Sequence, residues 1–166
     1  MTGAADTIAF LRDVRLFRSL GEAELGSLAR NLRDVSLKKG QVLVREGEHG
    51  DEMFLVRRGV LIVSKAVTGN VEQVLTRLGV GEFFGEMSLF DRAPRSATVQ
   101  ADSDASLLAL DRDRLQELID VNPRAGALLM HALVEVFIER LRASSDLVAE
   151  VTRWGLEATG LDFESR

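Results

Sequence analysis

The chain has 166 residues, 46% of them hydrophobic and 28% charged, and carries a formal net charge of −5. That size and balance fit one globular domain with a helical appendage, not a disordered chain. Cysteine is absent and histidine occurs only at His49 and His131, which excludes disulfides, thiolate nucleophiles, cysteine-built metal centres and any site needing several imidazoles.

The acidic balance argues against a protein that coats DNA or an anionic membrane. No apolar run approaches the roughly eighteen residues of a spanning helix. The start, MTGAADTIAFLRDVRLF, lacks the basic segment and continuous apolar core of a signal peptide. A cytoplasmic location is expected.

In chain order, the first pattern is helical. Ile8, Leu11, Val14 and Leu16 form an apolar face, and after a turn at Phe17–Gly21 a second helix carries Ala23, Leu25, Leu28, Ala29 and Leu32. Then the punctuation changes. Glycines fall at 40, 47, 50, 59, 69, 79, 81 and 85, separating the runs QVLV, MFLV, VLIVSKAV and VEQVLTRL. Strands of that length, with turn signals about every ten residues, predict an antiparallel sandwich or barrel. Thr68-Gly69-Asn70 is a hairpin tip by its chemistry, and ATVQA and ASLLALD supply two further strands.

From Arg112 the helical period returns. Asp111 is placed to cap a helix through Ile119, Asn122-Pro123 ends it, and the proline starts another. On this last helix Ala127, Met130, Val134, Phe137, Leu141, Ser144, Val148 and Val151 recur at alternating spacings of three and four. They make a seam of about three and a half heptads. Such a stripe packs either on the chain's own barrel or on the same helix of a second copy. Trp154, the only tryptophan, stands just beyond the seam, as an anchor for the tail or as a lid. The tail RWGLEATGLDFESR, with two glycines, is expected to fray.

The stretch GEFFGEMSLFDRAPRSATVQA, residues 81–101, carries the chemistry. Gly85 before a short helical turn over Glu86–Leu89 would expose backbone N–H groups to an anion. Arg95, nine residues after Glu86, brings a planar donor fork suited to two phosphate oxygens. Pro94 stiffens the approach, and Ser96 adds a hydroxyl and another N–H. A carboxylate beside a phosphate makes sense if it accepts from a neighbouring sugar hydroxyl, while Arg95 offsets the repulsion. The same two residues could equally form an ordinary ion pair. The glycine-rich, lysine-containing loop of nucleoside triphosphate sites is missing.

With the whole stretch in view, FGEMSLFDRAPRSATVQA resembles the phosphate-binding cassette of the cyclic-nucleotide-binding domain family. Leu16-Phe17 with Leu20, and LKKGQVLVREGEHGDEMFLVRRGVLIV, resemble that family's opening helices and first strands. The resemblance implies an α+β fold: an antiparallel β-barrel or jelly roll flanked by N-terminal helices and a long C-terminal helix. It divides the chain into N-terminal helices (1–33), a barrel (34–111) with the cassette at 84–99, and C-terminal helices (112–166) with a dimerisation helix at about 123–153.

The site residues it implies start at Phe84, which opens the cassette. Gly85 and Glu86 follow, with Glu86 on the ribose 2′-hydroxyl and the N–H groups of Glu86 and Met87 near the ligand. Ser88 stands where many members have Ala or Gly. Arg95 would pair with the cyclic phosphate, Ser96 and Ala97 would contact it too, and Val63, Leu75, Thr76 and Leu78 would line the wall beside the base. The last helix resembles the dimer helix of the family's bacterial catabolite activators, placing Arg140, Ser144 and Ser145 where that helix reaches the purine. The match needs about one extra helical turn between Pro123 and Leu141. Ser144 is thus either a base contact or a polar register mark in the seam.

The implied ligand is cAMP or cGMP, with cAMP preferred, and no cofactor or metal. The implied partners are a second copy through the C-terminal helix and a protein effector. Only 43 residues follow Pro123, too few for the helix-turn-helix domain of the activators. The expectation is therefore a free-standing regulator that does not bind DNA and is not an enzyme. A cupin-type metal enzyme would share a small barrel but needs more histidines. The remaining alternative is a ligand-free dimerisation or protein-contact module with a vestigial cassette.

Overall fold

The computed structural model describes residues 3–67 and 72–159. The chain divides into two compact units, Met1–Leu129 and Met130–Arg166. In the first, helices α1 (Ala4–Asp13) and α2 (Glu22–Asn31) are joined by a 3-10 turn over Arg15–Phe17. Leu11, Val14, Leu16, Phe17, Leu25 and Leu28 are all buried, which is the apolar periodicity of the sequence turned inward.

Among the described residues eight strands follow: β1 (Arg33–Leu37), β2 (Val42–Val44), β3 (Glu52–Arg58), β4 (Leu61–Ala66), β5 (Glu72–Leu78), β6 (Phe83–Phe84), β7 (Thr98–Ala101) and β8 (Ala105–Asp111). They form two four-stranded sheets, ordered β1-β8-β3-β6 and β2-β7-β4-β5. Every pairing is antiparallel. The fold is the α+β jelly roll that the sequence led us to expect. Six strands coincide with the apolar runs. The sequence pattern did not single out β1 and β6, because RDVSL is too polar and two residues are too few to show a period. The hairpin tip Thr68-Gly69-Asn70 lies outside the described residues.

The core follows from the two-residue period of the strands. Ala105, Leu107 and Ala109 of β8 join Phe54, Val56, Leu61, Leu78 and Val99 in one buried cluster. Leu108 and Leu110, on the opposite face of β8, are equally buried, so this strand is covered on both sides. One cover is α3 (Arg112–Val121), which contacts β8. Asp111 caps it by accepting from the Arg114 N–H at 2.8 Å. Gly59, at φ +91°, makes a tight turn: a Cβ there would lie 2.5 Å from the Asp104 carbonyl oxygen.

Helix α4 spans Pro123–Thr159. Asn122 Oδ1 accepts from the Ala125 N–H at 3.1 Å, so Asn122-Pro123 both ends α3 and starts α4. The expected fraying after Arg153 does not occur within the described residues: the helix runs through Trp154 and Gly155 to Thr159. One glycine costs a helix only about 1 kcal/mol, too little to end one rich in Leu, Ala and Glu. Along the heptad seam Ala127, Val134, Leu141, Ser144, Val148 and Val151 are exposed, and Met130 and Phe137 are half-buried. Trp154 is 58% exposed. Among the described residues, no helix is long and apolar enough to cross a membrane.

Candidate functional site

Strand β6 delivers the chain to Gly85, whose φ of +77° is left-handed. That conformation suits glycine because a Cβ would crowd the backbone. Contact reinforces the requirement: a Cβ at Gly85 would sit 2.6 Å from Arg95 Nη1 and 2.8 Å from the Glu52 carbonyl oxygen. The turn lets Glu86–Leu89 wind into the single 3-10 turn that the sequence predicts. Its Ser88 N–H closes on the Gly85 carbonyl at 3.1 Å. The other end is clamped by Arg112, the first residue of α3. Its Nη2 donates to the carbonyls of Ser88 (2.8 Å) and Asp91 (2.6 Å), and its Nε to that of Leu89 (3.0 Å).

The second half of the cassette docks on the turn between β2 and β3. The Arg95 N–H donates to the Glu48 carbonyl at 2.7 Å, and the Gly47 N–H donates to the Arg95 carbonyl at 2.9 Å. Thr98 Oγ1 accepts from the Glu46 N–H at 3.0 Å, and His49 Nδ1 lies 3.1 Å from the Arg92 carbonyl oxygen. Backbone pairing with a distant turn thus fixes where Arg95 leaves the chain.

Two opposite charges are buried here. Glu86 is 1% exposed and Arg95 9%. The guanidinium donates from Nη1 to Ser88 Oγ and from Nη2 to the Glu52 carbonyl, both at 2.9 Å. It also lies over the Phe54 ring, 5.8 Å from the centroid, and Phe54 stacks on Phe84 at 5.3 Å. Burial lowers the pKa of Arg95, while Glu52, then Asp51 and Glu86, pull it back up. A guanidinium stays cationic at neutral pH in a protein.

A cavity of about 220 Å³ opens beside Arg95, walled by Val35, Leu43, Val44, Gly50 and Phe54, with Glu48 and Glu52 among its polar lining. That is below the 300–1,000 Å³ usual for small-molecule sites.

The structure brings Phe84, Gly85, Glu86, Ser88 and Arg95 together. Met87 is 59% exposed, Ser96 is exposed and Ala97 half-buried. Of the expected base wall, Val63 and Leu78 face the barrel core. Thr76 pairs with Val63, and Leu75 is passed over at the irregularity where the partner changes from Thr76 to Val74. Thr76 and Leu75 are exposed, and none of these four lines the cavity beside Arg95. Arg140, Ser144 and Ser145 lie in the other unit and are exposed, with Ser145 Oγ donating back to the Leu141 carbonyl at 3.0 Å.

Sequence reasoning missed Gly50, Glu52, Phe54 and Arg112. Gly50 registered only as turn punctuation. Glu52 adds carboxylate charge, but its hydrogen bond to Arg95 comes from the backbone carbonyl, which leaves no mark in side-chain chemistry.

This geometry defines a small β-roll domain that offers a buried cation and a glycine-led turn to an anionic ligand. Residues 34–122 match the cyclic nucleotide-binding domain family, and the chain belongs to it. It is 26% identical over 136 residues to the CRP-like cAMP-activated global transcriptional regulator of Mycobacterium tuberculosis, covering 82% of this chain and 59% of that protein. It is 32% identical over 160 residues to the cAMP-dependent protein kinase regulatory subunit of Mycosarcoma maydis, covering 92% and 30%. Among solved structures, the Thermus thermophilus catabolite activator protein superposes with a TM-score of 0.76 at 31% identity, covering 82% of this chain and 62% of that one. The chain thus spans less than two thirds of the length of these relatives. Those named here are regulators and a regulatory subunit.

Proposed function

We propose that this chain is a cyclic-nucleotide sensor that takes cAMP in preference to cGMP. The carrying observation is the buried Arg95 guanidinium, seated beside the left-handed Gly85 and the single turn that starts at Glu86. A cyclic phosphate is the anion this arrangement fits. Its single negative charge is met by one fixed cation, and the nearby Glu86 carboxylate is tolerable if it accepts from a ribose hydroxyl on the same ligand. The cAMP preference is supported by the names of the bacterial regulator and the kinase subunit to which the chain is similar.

The output runs through the C-terminal helices. Arg112 ties three cassette carbonyls to the start of α3, and Asn122 joins α3 to α4. A ligand that draws the cassette inward therefore acts on the base of α4. Differential affinity for two positions of that helix is all that switching requires. The exposed seam of α4 is covered by a second copy of the chain, giving a homodimer in which Ser144 is the polar register mark. The sensor works in the cytoplasm and acts on a protein effector.

Titrating cAMP and cGMP separately into the protein by calorimetry tests the reading. Saturable binding of both, tighter for cAMP, is the expected result. Absence of heat with either nucleotide at millimolar concentration overturns it.

A further inference from the structure

Arg95 has a seat that is complete without a ligand. Ser88 Oγ accepts from Nη1, and the Glu52 carbonyl accepts from Nη2. Two glycines flank the guanidinium. A Cβ at Gly85 would meet Nη1 at 2.6 Å, and one at Gly50 would meet Nη2 at 2.6 Å, Nε at 2.9 Å and Cζ at 3.1 Å. A guanidinium carries five N–H groups in a fixed planar fork, so anchoring two of them orients the other three.

Ser88 is itself fixed. It is 6% exposed, its N–H is bonded to Gly85, and its carbonyl is held by Arg112. The hydroxyl anchor therefore cannot drift with the side chain it holds.

We propose that Ser88 is the positioning residue for Arg95, its hydroxyl aiming the guanidinium at the cyclic phosphate, and that Gly50 supplies the gap in which the guanidinium is held. The proposal rests on the cyclic-nucleotide reading above. An arginine side chain has large rotamer entropy, and immobilising it at the moment of binding costs affinity. Ser88 does that immobilising beforehand. Gly50 acts sterically. Its φ lies outside the left-handed region, so alanine fits the backbone there, and only the far end of Arg95 has to move. Gly50→Ala displaces the guanidinium and leaves the fold in place.

The experiment has two arms. In the first, cAMP is titrated by calorimetry into wild type, Ser88→Ala, Gly50→Ala, Arg95→Ala and the Ser88→Ala/Arg95→Ala double variant. Loss of one charge-assisted anchor is expected to weaken binding about tenfold in Ser88→Ala, with Gly50→Ala at least as weak. In the Arg95→Ala background, Ser88→Ala should add nothing. Unchanged affinity in Ser88→Ala, or an equal loss with and without Arg95, overturns the proposal.

The second arm needs no nucleotide. Nitrogen-15 NMR of the ligand-free protein reads rotation of the Arg95 guanidinium, expected to be slow in wild type and fast in Ser88→Ala and Gly50→Ala. Equal rotation in all three overturns the proposal. Failure of the wild type to bind cAMP or cGMP would instead remove the functional reading, and the NMR arm would still decide whether Ser88 and Gly50 hold Arg95.

Discussion

The guanidinium carbon of Arg95 lies 5.8 Å from the centre of the Phe54 ring, and Phe54 is a 2% exposed member of the barrel core. The proposed phosphate partner is therefore laid on the core itself. A cation on a desolvated aromatic face gains about 2 kcal/mol and cannot swing freely to solvent. Replacing Arg95 by alanine should leave the barrel folded and remove the cation that meets the phosphate. The expected loss of cAMP affinity is about 2–5 kcal/mol, enough to move a micromolar ligand towards millimolar. Calorimetry on the variant measures it, and equal affinities would take Arg95 out of the site.

Gly85 and Gly59 make a contrasting pair. Both sit at positive φ, and a Cβ at either would clash with backbone: the Glu52 carbonyl for Gly85, the Asp104 carbonyl and Ala105 Cα for Gly59. Alanine at either should destabilise by about 1–3 kcal/mol through backbone strain alone, lowering the melting temperature by several degrees. Only Gly85→Ala also collides with Arg95 Nη1. Measured well below the melting temperature, nucleotide binding should survive Gly59→Ala and fail in Gly85→Ala.

Asp104 gives a pH-dependent term. The Lys38 ammonium bonds its carboxylate at 2.9 Å, and the Lys39 N–H donates to it at 2.9 Å. These contacts, the Lys38 side chain first, hold its pKa below the usual carboxylate range. A depressed folded pKa means stability that is present above the unfolded value, about 3.9, and lost as pH falls through the folded one. Wild type should melt above Asp104→Asn at neutral pH, and the gap should close below about pH 4. A gap that widens on acidification would contradict the assignment.

The seam of α4 makes a prediction about assembly. Leu141, Val148 and Val151 are 69%, 62% and 55% exposed on one heptad stripe, which is costly to leave in water. Light scattering should report a dimer for wild type and a monomer for Leu141→Glu/Val148→Glu, with no loss of helical circular dichroism in the barrel-flanking helices. Persistence of the dimer in that variant would place the contact elsewhere.

Much of this was legible one residue at a time. The glycines, the caps at Asp111 and Asn122-Pro123, and the spacing of Gly85, Glu86 and Arg95 express local rules: allowed φ, orphan N–H groups, charge against charge. These act within a few residues, so the order of letters is enough to read them, while the cassette was marked by its resemblance to the family. Local rules fall short for α4: the two glycines of the tail predict fraying after Arg153, yet the helix continues through Gly155 to Thr159.

The sequence by itself determined the jelly roll, the cassette and the identity of its two charged residues. Only the tertiary structure decided how Arg95 is held, since Gly50, the Glu52 carbonyl and Phe54 come from a turn and strand some forty residues upstream. The reason is physical. A seat for a guanidinium is made of carbonyl direction, ring faces and missing side chains, and none of these has a position until β3 is laid against the cassette.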